Sequence, residues 1–150
     1  MKNKIFLAII ITSLFFINCK SEKHESTDSK VSSVKHLTEV EFKKLIFNYD
    51  ADKEWKFEGT KPVIIDFYAD WCAPCRQLSP LVEKIAEEYS GKIVVYKVDT
   101  DKEKMLAQGL GITGLPTLLF IPEEGMPRAS MGVISREEML KAINDILLIK

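Results

Sequence analysis

The sequence contains few of the residues on which specialised binding sites usually depend. Its 150 residues include three cysteines and two histidines, and 21 Lys and Arg residues stand against 22 Asp and Glu residues, a formal net charge of -1. Three cysteines are too few for a disulfide-stapled scaffold, and an odd number leaves at least one unpaired within the chain. Because both signs of charge are scattered along the chain, the sequence shows no basic face, and we expect no nucleic-acid partner.

The apolar run near the N-terminus is too short to span a membrane. It covers residues 5–17, is interrupted only by Thr12 and Ser13, and follows two lysines. As a helix it would measure about 20 Å, short of the roughly 30 Å hydrocarbon core of a bilayer. A charged start followed by a short apolar run is typical of a signal peptide, so we predict that residues 1–18 direct export.

Cys19 follows this segment directly, after Phe16, Ile17 and Asn18. A cysteine in this place resembles the lipobox of bacterial lipoproteins, and the resemblance implies that Cys19 is lipidated and becomes the N-terminus of the mature chain. Asn18 departs from the small residue that usually precedes this cysteine. Two alternatives stay open, namely a cleaved signal with an incidental cysteine and an uncleaved anchor.

The next residues have a composition that cannot form a core. Residues 20–33 contain five serines and a single apolar residue, Val31. We therefore predict a flexible tether over residues 19–33. The remaining residues, 34–150, are enough for one domain with one hydrophobic core.

Apolar periodicity within this domain predicts helices that alternate with strands. Helical spacing predicts four helices, over about 38–48, 74–90, 101–109 and from 135 onward. Runs of strand length predict strands over 62–69, 92–98, 117–121 and 129–133. Capping boxes at Thr38–Glu41 and Ser135–Glu138 mark the starts of the first and last helices. The order of elements predicts an α/β fold, a central mixed sheet with helices on both faces.

Two of the three cysteines form a Cys-x-x-Cys motif, Cys72-Ala73-Pro74-Cys75, between a predicted strand and the helix after it. Cys72 is thereby predicted to lie at a helix N-terminus, where unpaired N–H groups and the helix dipole stabilise an anion. The thiolate is the reactive form of cysteine, and this placement favours it. With two residues between them, the cysteines can close a small ring without unwinding the helix, so oxidation and reduction can be reversible.

Three other interpretations of this motif have less support. Half a zinc site needs two more ligands, and the remaining candidates, Cys19, His24 and His36, lie at or before the edge of the domain. A purely structural disulfide is disfavoured because closing so short a loop constrains the unfolded chain little. Papain-like catalysis needs a histidine base inside the fold, where the sequence places none. We therefore expect no metal.

Two segments resemble the thioredoxin family. The stretch DFYADWCAPC, residues 66–75, is similar to the family's active-site segment, and GITGLPT, residues 111–117, is similar to its cis-proline segment. The resemblance covers essentially all of residues 34–150. It implies the thioredoxin fold, a central mixed five-stranded sheet flanked by four helices, with Pro116 in a cis peptide that faces the two sulfurs.

The resemblance also assigns the chemistry, position by position. It implies that Cys72 is the attacking thiol, that Cys75 is the resolving thiol, and that their redox-active disulfide is the only cofactor. It further implies that Asp66 is the buried carboxylate, with Lys97 on the next strand as its partner. An acid in an apolar strand is expected to have a raised pKa, which suits a proton acceptor for Cys75. An acid merely paired with Lys97, and a solvated Lys97, stay open as alternatives.

The other predicted site residues would bind the substrate chain. Leu115 and Pro116 would present backbone groups beside Cys72, so that an extended substrate segment pairs like an added strand. Trp71 is either a lid next to the sulfurs or a packing residue, and Gly132 matches a glycine that leaves room for the substrate. The predicted substrate-binding positions are Trp71, Ala73, Pro74, Thr113, Gly114, Leu115, Pro116 and Gly132.

Together these inferences predict an exported bacterial thiol-disulfide oxidoreductase that reduces disulfides of exported proteins. It would be a lipid-anchored monomer on the periplasmic side of a membrane. Because cytosolic reductant is out of reach there, its electrons would come from a thiol-relaying membrane protein. The alternatives are a disulfide oxidase or isomerase, a thiol reductant for cytochrome maturation, and a non-catalytic peptide-binding module.

Overall fold

The computed structural model describes residues 33–147. The predicted signal segment over residues 1–18, the candidate lipidation site Cys19 and all but the last residue of the predicted tether lie outside the described residues. The predictions made for them therefore stay predictions.

Five strands and four helices make up the described part of the chain. The strands are β1 (Val34–His36), β2 (Val63–Tyr68), β3 (Val94–Asp99), β4 (Thr117–Ile121) and β5 (Arg128–Met131). The helices are α1 (Glu39–Leu45), α2 (Ala73–Glu88), α3 (Lys104–Gly109) and α4 (Arg136–Ile146). Between residues 33 and 147, none of these helices has the length and apolar character needed to cross a membrane.

The five strands form one sheet in the order β1-β3-β2-β4-β5. β1 and β2 each pair with β3 in parallel, whereas β4 is antiparallel to both β2 and β5. The sheet is therefore mixed, as predicted. β2 is its central strand and is covered on both faces, which explains why its sequence is an apolar run rather than an alternation of apolar and polar residues.

Helices cover the two faces of the sheet and form two cores. Successive side chains of β2 point to opposite faces. Ile64 packs in a cluster that includes Leu78 of α2, whereas Ile65 packs in a cluster that includes Phe42 of α1. Asp66 lies two residues after Ile64 and shares its face, so the one acid of this strand points to the side that α2 covers.

Both predicted capping boxes are present. The backbone N–H of Glu41 donates to the hydroxyl of Thr38 over 3.3 Å, and the N–H of Thr38 donates to the Glu41 carboxylate over 2.9 Å. The corresponding distances for Ser135 and Glu138 are 3.2 Å and 2.7 Å. Each box satisfies N–H groups that a helix start would otherwise leave unpaired.

Element boundaries differ from the predicted ones where turns replace the last or first helical residues. α1 ends at Leu45 rather than near residue 48, because the N–H of Phe47 turns back to the carbonyl of Phe42. α3 begins at Lys104 rather than at residue 101, because the carbonyl of Asp99 accepts hydrogen bonds from the turn that precedes the helix.

Candidate active site

Cys72 and Cys75 are joined in a disulfide where β2 passes into α2. The S–S distance is 2.01 Å and the two Cα atoms are 5.3 Å apart. Cys72 is the N-cap residue of α2, and its own N–H donates to the carbonyl of Ala69 over 3.1 Å. Both cysteines are buried, with 3% and 2% of their surface exposed. A reacting group must therefore approach this surface closely to reach either cysteine.

The start of α2 is built to stabilise negative charge on Cys72. The Cys72 sulfur (Sγ) accepts a hydrogen bond from the backbone N–H of Cys75 over 3.1 Å. Pro74 occupies the first turn of the helix, where a backbone N–H would have no helical partner, so its ring costs no hydrogen bond. Once the disulfide is reduced, the same N–H and the helix dipole favour a thiolate on Cys72.

Asp66 is buried without a hydrogen-bonding partner. Only 1% of its surface is exposed, and neither carboxylate oxygen has a hydrogen-bond partner within residues 33–147. Burial raises the pKa of this carboxyl to about 6, against the opposing effect of the Lys97 charge. Asp66 faces the side of the sheet that α2 covers, and α2 begins with the cysteines. A raised pKa is what the sequence predicted for this carboxyl, and its role as proton acceptor for Cys75 stays a prediction.

Lys97 lies opposite Asp66 in the β2–β3 register, but the two do not form an ion pair in the described part of the chain. Its ammonium nitrogen instead lies 4.8 Å from the centre of the Tyr68 ring, within the range of a cation–π interaction. Lys97 thus influences Asp66 through its charge rather than through a direct contact.

The cis-proline loop lies against the disulfide. The Leu115–Pro116 peptide is cis, as the resemblance implied, and Leu115 packs against the cluster that contains both cysteines. The carbonyl of Pro116 accepts the N–H of Gly132 over 2.8 Å, and the Thr117 hydroxyl donates to the carbonyl of Gly114 over 2.7 Å. These bonds fix the loop.

The backbone of Leu115 itself remains open. Its N–H and C=O make no hydrogen bond with any of the described residues. Backbone groups of this kind can pair with an extended chain, and the pairing of Leu115 with a substrate strand stays a prediction.

Trp71 lies at the solvent edge of the site. Its side chain is 69% exposed, and its indole N–H donates to the carboxylate of Asp101 over 2.9 Å. Asp101 belongs to the turn after β3, so this hydrogen bond holds the indole between two loops. An indole this exposed is not a core packing residue, and its role as a lid beside the sulfurs stays a prediction.

The other predicted substrate-binding residues lie on the same segments. Ala73, Pro74 and Thr113 are exposed, whereas Gly114 and Gly132 are half-buried. Among residues 33–147, no group of three or more His, Cys, Asp and Glu side chains is arranged to hold a metal ion.

Sequence reasoning missed two contacts at this site. Met131 is 61% exposed, and a methyl group at Gly114 would lie only 2.8 Å from its sulfur. The ammonium group of Lys97 lies over the ring of Tyr68. Both contacts join residues distant in sequence, and only the pairing of the strands brings them together. The one available signal was Gly114, where an added methyl group would have to displace the Met131 sulfur.

Comparisons of the sequence and of the structure with known proteins find the same family. Residues 33–145 match the family model described as Thioredoxin. The chain is similar to the thioredoxin of Borreliella burgdorferi, with 48% identity over 109 residues, 73% of this chain and 93% of that protein. It is also similar to the thioredoxin of Porphyra purpurea, with 34% identity over 112 residues, 75% of this chain and 95% of that protein. A crystal structure of chloroplastic thioredoxin z matches with a TM-score of 0.64 and 27% identity, covering 77% of this chain and 96% of that one.

Proposed function

The chain belongs to the thioredoxin family, has the thioredoxin fold and is a thiol-disulfide oxidoreductase, and from this premise we propose that it reduces disulfide bonds of exported proteins. The observation that carries the proposal is the Cys72–Cys75 pair at a helix start, on the side of the sheet to which Asp66 points, a buried carboxylate with no hydrogen-bond partner among residues 33–147. That arrangement supports a stabilised thiolate on Cys72 and a role for Asp66 as acceptor of the second thiol proton.

In the first step, the reduced enzyme attacks the substrate. The Cys72 thiolate forms a bond to one sulfur of the substrate disulfide, and the substrate S–S bond breaks. The other substrate sulfur leaves as a thiolate and takes a proton from solvent. The product is a mixed disulfide between Cys72 and the substrate.

In the second step, Cys75 resolves the mixed disulfide. Its thiol passes a proton toward Asp66, and the Cys75 thiolate forms a bond to the Cys72 sulfur as the bond from Cys72 to the substrate breaks. The second substrate sulfur leaves as a thiolate and is protonated. Two electrons have passed from the enzyme dithiol to the substrate disulfide, and the enzyme disulfide must then be reduced by another thiol donor.

The cis-proline loop would position the substrate for both steps. A substrate segment paired with the open backbone of Leu115 lies beside the cysteines, because Leu115 packs against both of them. An added strand of this kind gives affinity through main-chain hydrogen bonds and is largely independent of substrate sequence. The arrangement suits a reductase that acts on several proteins.

The N-terminal sequence supports export as the setting. A charged start, a short apolar run over residues 5–17 and Cys19 immediately after the run resemble a lipoprotein signal, and the family match begins only at residue 33. We infer a lipid anchor at Cys19 on the periplasmic side of a bacterial membrane. The chain would then receive electrons from a membrane protein that relays thiols, because cytosolic reductant does not reach that side.

Trapping of mixed disulfides tests the proposal in the native host. A Cys75→Ser variant retains the attacking thiol but cannot resolve the intermediate, so substrates stay bound to Cys72. The matched control is the double variant Cys72→Ser, Cys75→Ser, which has no attacking thiol. Complexes are separated without reductant, and the captured proteins are identified after reduction.

The expected result is a set of exported proteins with cysteine pairs, captured by the single variant and absent from the control. Capture of cytosolic proteins alone, or equal recovery with the control, would contradict the proposal. Purified Cys72→Ser should also fail to reduce insulin disulfides that the parent reduces, an outcome that separates the enzyme from a peptide-binding module.

A further inference from the structure

Tyr68 is the last residue of β2, at the point where this strand passes into the segment that carries the cysteines. Its half-buried side chain packs against the cluster formed by Ala69, Cys72 and Cys75. Because alternate residues of a strand point to the same face, the Tyr68 ring lies on the face to which Asp66 also points. The ring therefore lies near both the disulfide and the buried carboxylate.

Lys97 has two candidate partners on this face. It pairs in register with Asp66, which lies two residues before Tyr68 on the same strand. The long, flexible stem of a lysine allows its ammonium group to reach either residue. The ammonium nitrogen lies 4.8 Å from the centre of the Tyr68 ring, and neither oxygen of Asp66 has a hydrogen-bond partner among residues 33–147. The cation therefore lies over the ring, although an opposite charge is within its register.

Burial explains why the ring competes with the carboxylate. Only 1% of the surface of Asp66 is exposed, so an ion pair there would remove the ammonium from water. Burying a charge is costly even when the charge is paired. Lys97 and Tyr68 are both half-buried, and the negative face of an aromatic ring attracts a cation that keeps part of its hydration. The ring thus offers Lys97 a site that costs less desolvation.

Other charged or titratable groups also lie near this ring. The His36 ring of β1 is 6.3 Å from it, and Asp99 of β3 pairs with Tyr68 in register. The ammonium group of Lys102, in the turn after β3, binds the Asp99 carboxylate over 2.8 Å. Asp70, in the turn after β2, acts on Tyr68 through its charge. Since Lys102 is engaged by Asp99, Lys97 is the cation that the ring positions.

We propose that Tyr68 is a positioning residue for proton transfer. Its ring holds the Lys97 ammonium away from Asp66, so that Lys97 does not pair with the carboxylate that accepts the proton of the Cys75 thiol. A carboxylate in a direct ion pair is a weaker proton acceptor, because the cation stabilises its charged form. The inference rests on the proposed reductase function, in which Asp66 accepts that proton.

Titration of the Asp66 carboxyl by 13C NMR measures this effect without reference to activity. The oxidised protein is used, because Cys72 and Cys75 do not titrate in a disulfide. The parent should titrate with a midpoint at about pH 6. In Tyr68→Leu the ammonium group loses the ring and should pair with Asp66, so the midpoint should fall by about one pH unit or more. Tyr68→Phe keeps the ring face and should keep the parent midpoint.

Three controls separate this effect from a general disturbance of the site. In a Lys97→Met background, Tyr68→Leu should leave the Asp66 midpoint unchanged, because the cation is absent. Tyr96→Leu removes another half-buried tyrosine of the sheet, one that packs in the cluster on the opposite face, and it should keep the parent midpoint. The titrations are repeated with His36→Gln, so that no imidazole changes its charge beside the ring.

The resolving step should show the same shift. In single-turnover reduction of a peptide disulfide, release from the parent should slow below about pH 6. In Tyr68→Leu this slowing should begin about one pH unit lower. A purely structural role for Tyr68 would instead lower the rate at every pH and leave the profile in place.

The parent protein also tests the contact without any substitution. The protons on the Lys97 carbon next to the ammonium nitrogen lie beside the Tyr68 ring, and its ring current should shift their NMR signals upfield. Unshifted signals in the parent would overturn the inference, and so would an Asp66 midpoint that stays or rises in Tyr68→Leu. If the parent reduced no peptide disulfide, the proposed function would fail, whereas the two NMR measurements would still show whether Tyr68 keeps Lys97 from Asp66.

Discussion

Asp66 lies on the central strand between Ile65 and Phe67, where burial without a hydrogen-bond partner among the described residues disfavours its charge. Burial raises its pKa to about 6 from an ordinary value of 3.8, and the Lys97 charge only partly offsets this. A carboxyl with a raised pKa in the folded state binds its proton more tightly there than in the unfolded chain. The contribution of Asp66 to stability is therefore most favourable below about pH 4, where the carboxyl is protonated, and it is lost as the pH rises from about 4 to 6.

We expect Asp66→Asn to remove this loss. The difference between 3.8 and about 6 corresponds to roughly 3 kcal/mol at about 1.4 kcal/mol per unit, so the variant should gain about that much unfolding free energy relative to the parent between pH 4 and pH 8. Urea unfolding of the oxidised forms across that range measures the difference, and comparison with the parent cancels the other carboxylates. A stability difference that does not change with pH would contradict the assignment.

The same substitution should slow catalysis at the resolving step. A positioned general base contributes about a hundredfold or more, so Asp66→Asn should release the substrate from the mixed disulfide correspondingly slowly at pH 7. In the parent, release should slow as the pH falls below about 6, because Asp66 is then protonated. Single-turnover reduction of a peptide disulfide separates this step from the first attack. If Asp66→Asn and the parent show the same pH profile, Asp66 does not accept the proton.

At single residues, the burial of a side chain could be predicted from the sequence, whereas its long-range contacts could not. The buried acid and its raised pKa follow from one Asp in an apolar strand, and the structure bears out that environment. The position of the Lys97 ammonium over Tyr68, and that of the Met131 thioether over Gly114, depend on strand register and rotamers. Local sequence does not encode either of them.

Helix starts are the elements that local sequence defines best. The capping boxes at Thr38 and Ser135 lie where they were predicted, because side-chain and backbone groups three residues apart satisfy each other without tertiary contacts. Strand β1 is the opposite case. It has three residues, of which only Val34 is buried, so its sequence shows no alternation of apolar and polar residues. The strand is defined by its pairing with β3.

Removal of either cap should cost stability without affecting the site. Thr38→Ala and Ser135→Ala should each lower the unfolding free energy by about 1 kcal/mol, because the helix start loses a hydrogen-bond acceptor. Thr60→Ala is the control, since Thr60 is exposed in a loop outside both caps. Chemical denaturation gives the three values, and rates of disulfide reduction should be unchanged. Losses equal to that of the control would show that the boxes do not stabilise the helices.

At the scale of the whole molecule, the alternation of strands and helices predicted the mixed sheet and the placement of Cys72 and Cys75 between a strand and the helix after it. The order of the strands did not follow from the alternation itself, and the fifth strand came only from the family resemblance. Long-range pairing decides such features. The three cysteines divide accordingly between a redox pair inside the fold and Cys19 in the N-terminal sequence.

The proposed anchor has a direct test. Cys19→Ala should abolish labelling of the chain with a radioactive fatty acid and release it from membranes, because the thiol that carries the lipid is gone. The control is Asn18→Gly, which should leave both the fatty-acid labelling and the membrane association intact. Unchanged membrane partitioning of Cys19→Ala would refute the lipoprotein assignment while leaving the redox chemistry untouched.

The direction of electron flow is the central claim, and the reduction potential of the Cys72–Cys75 pair tests it most directly. The purified protein is equilibrated with dithiothreitol or glutathione buffers of known ratio, and the fraction of free thiol is measured. A reductase should give a value near the roughly -270 mV of thioredoxins, so that the dithiol donates electrons to substrate disulfides. A value near the about -120 mV typical of strong disulfide oxidants would contradict the account and assign the chain to disulfide formation.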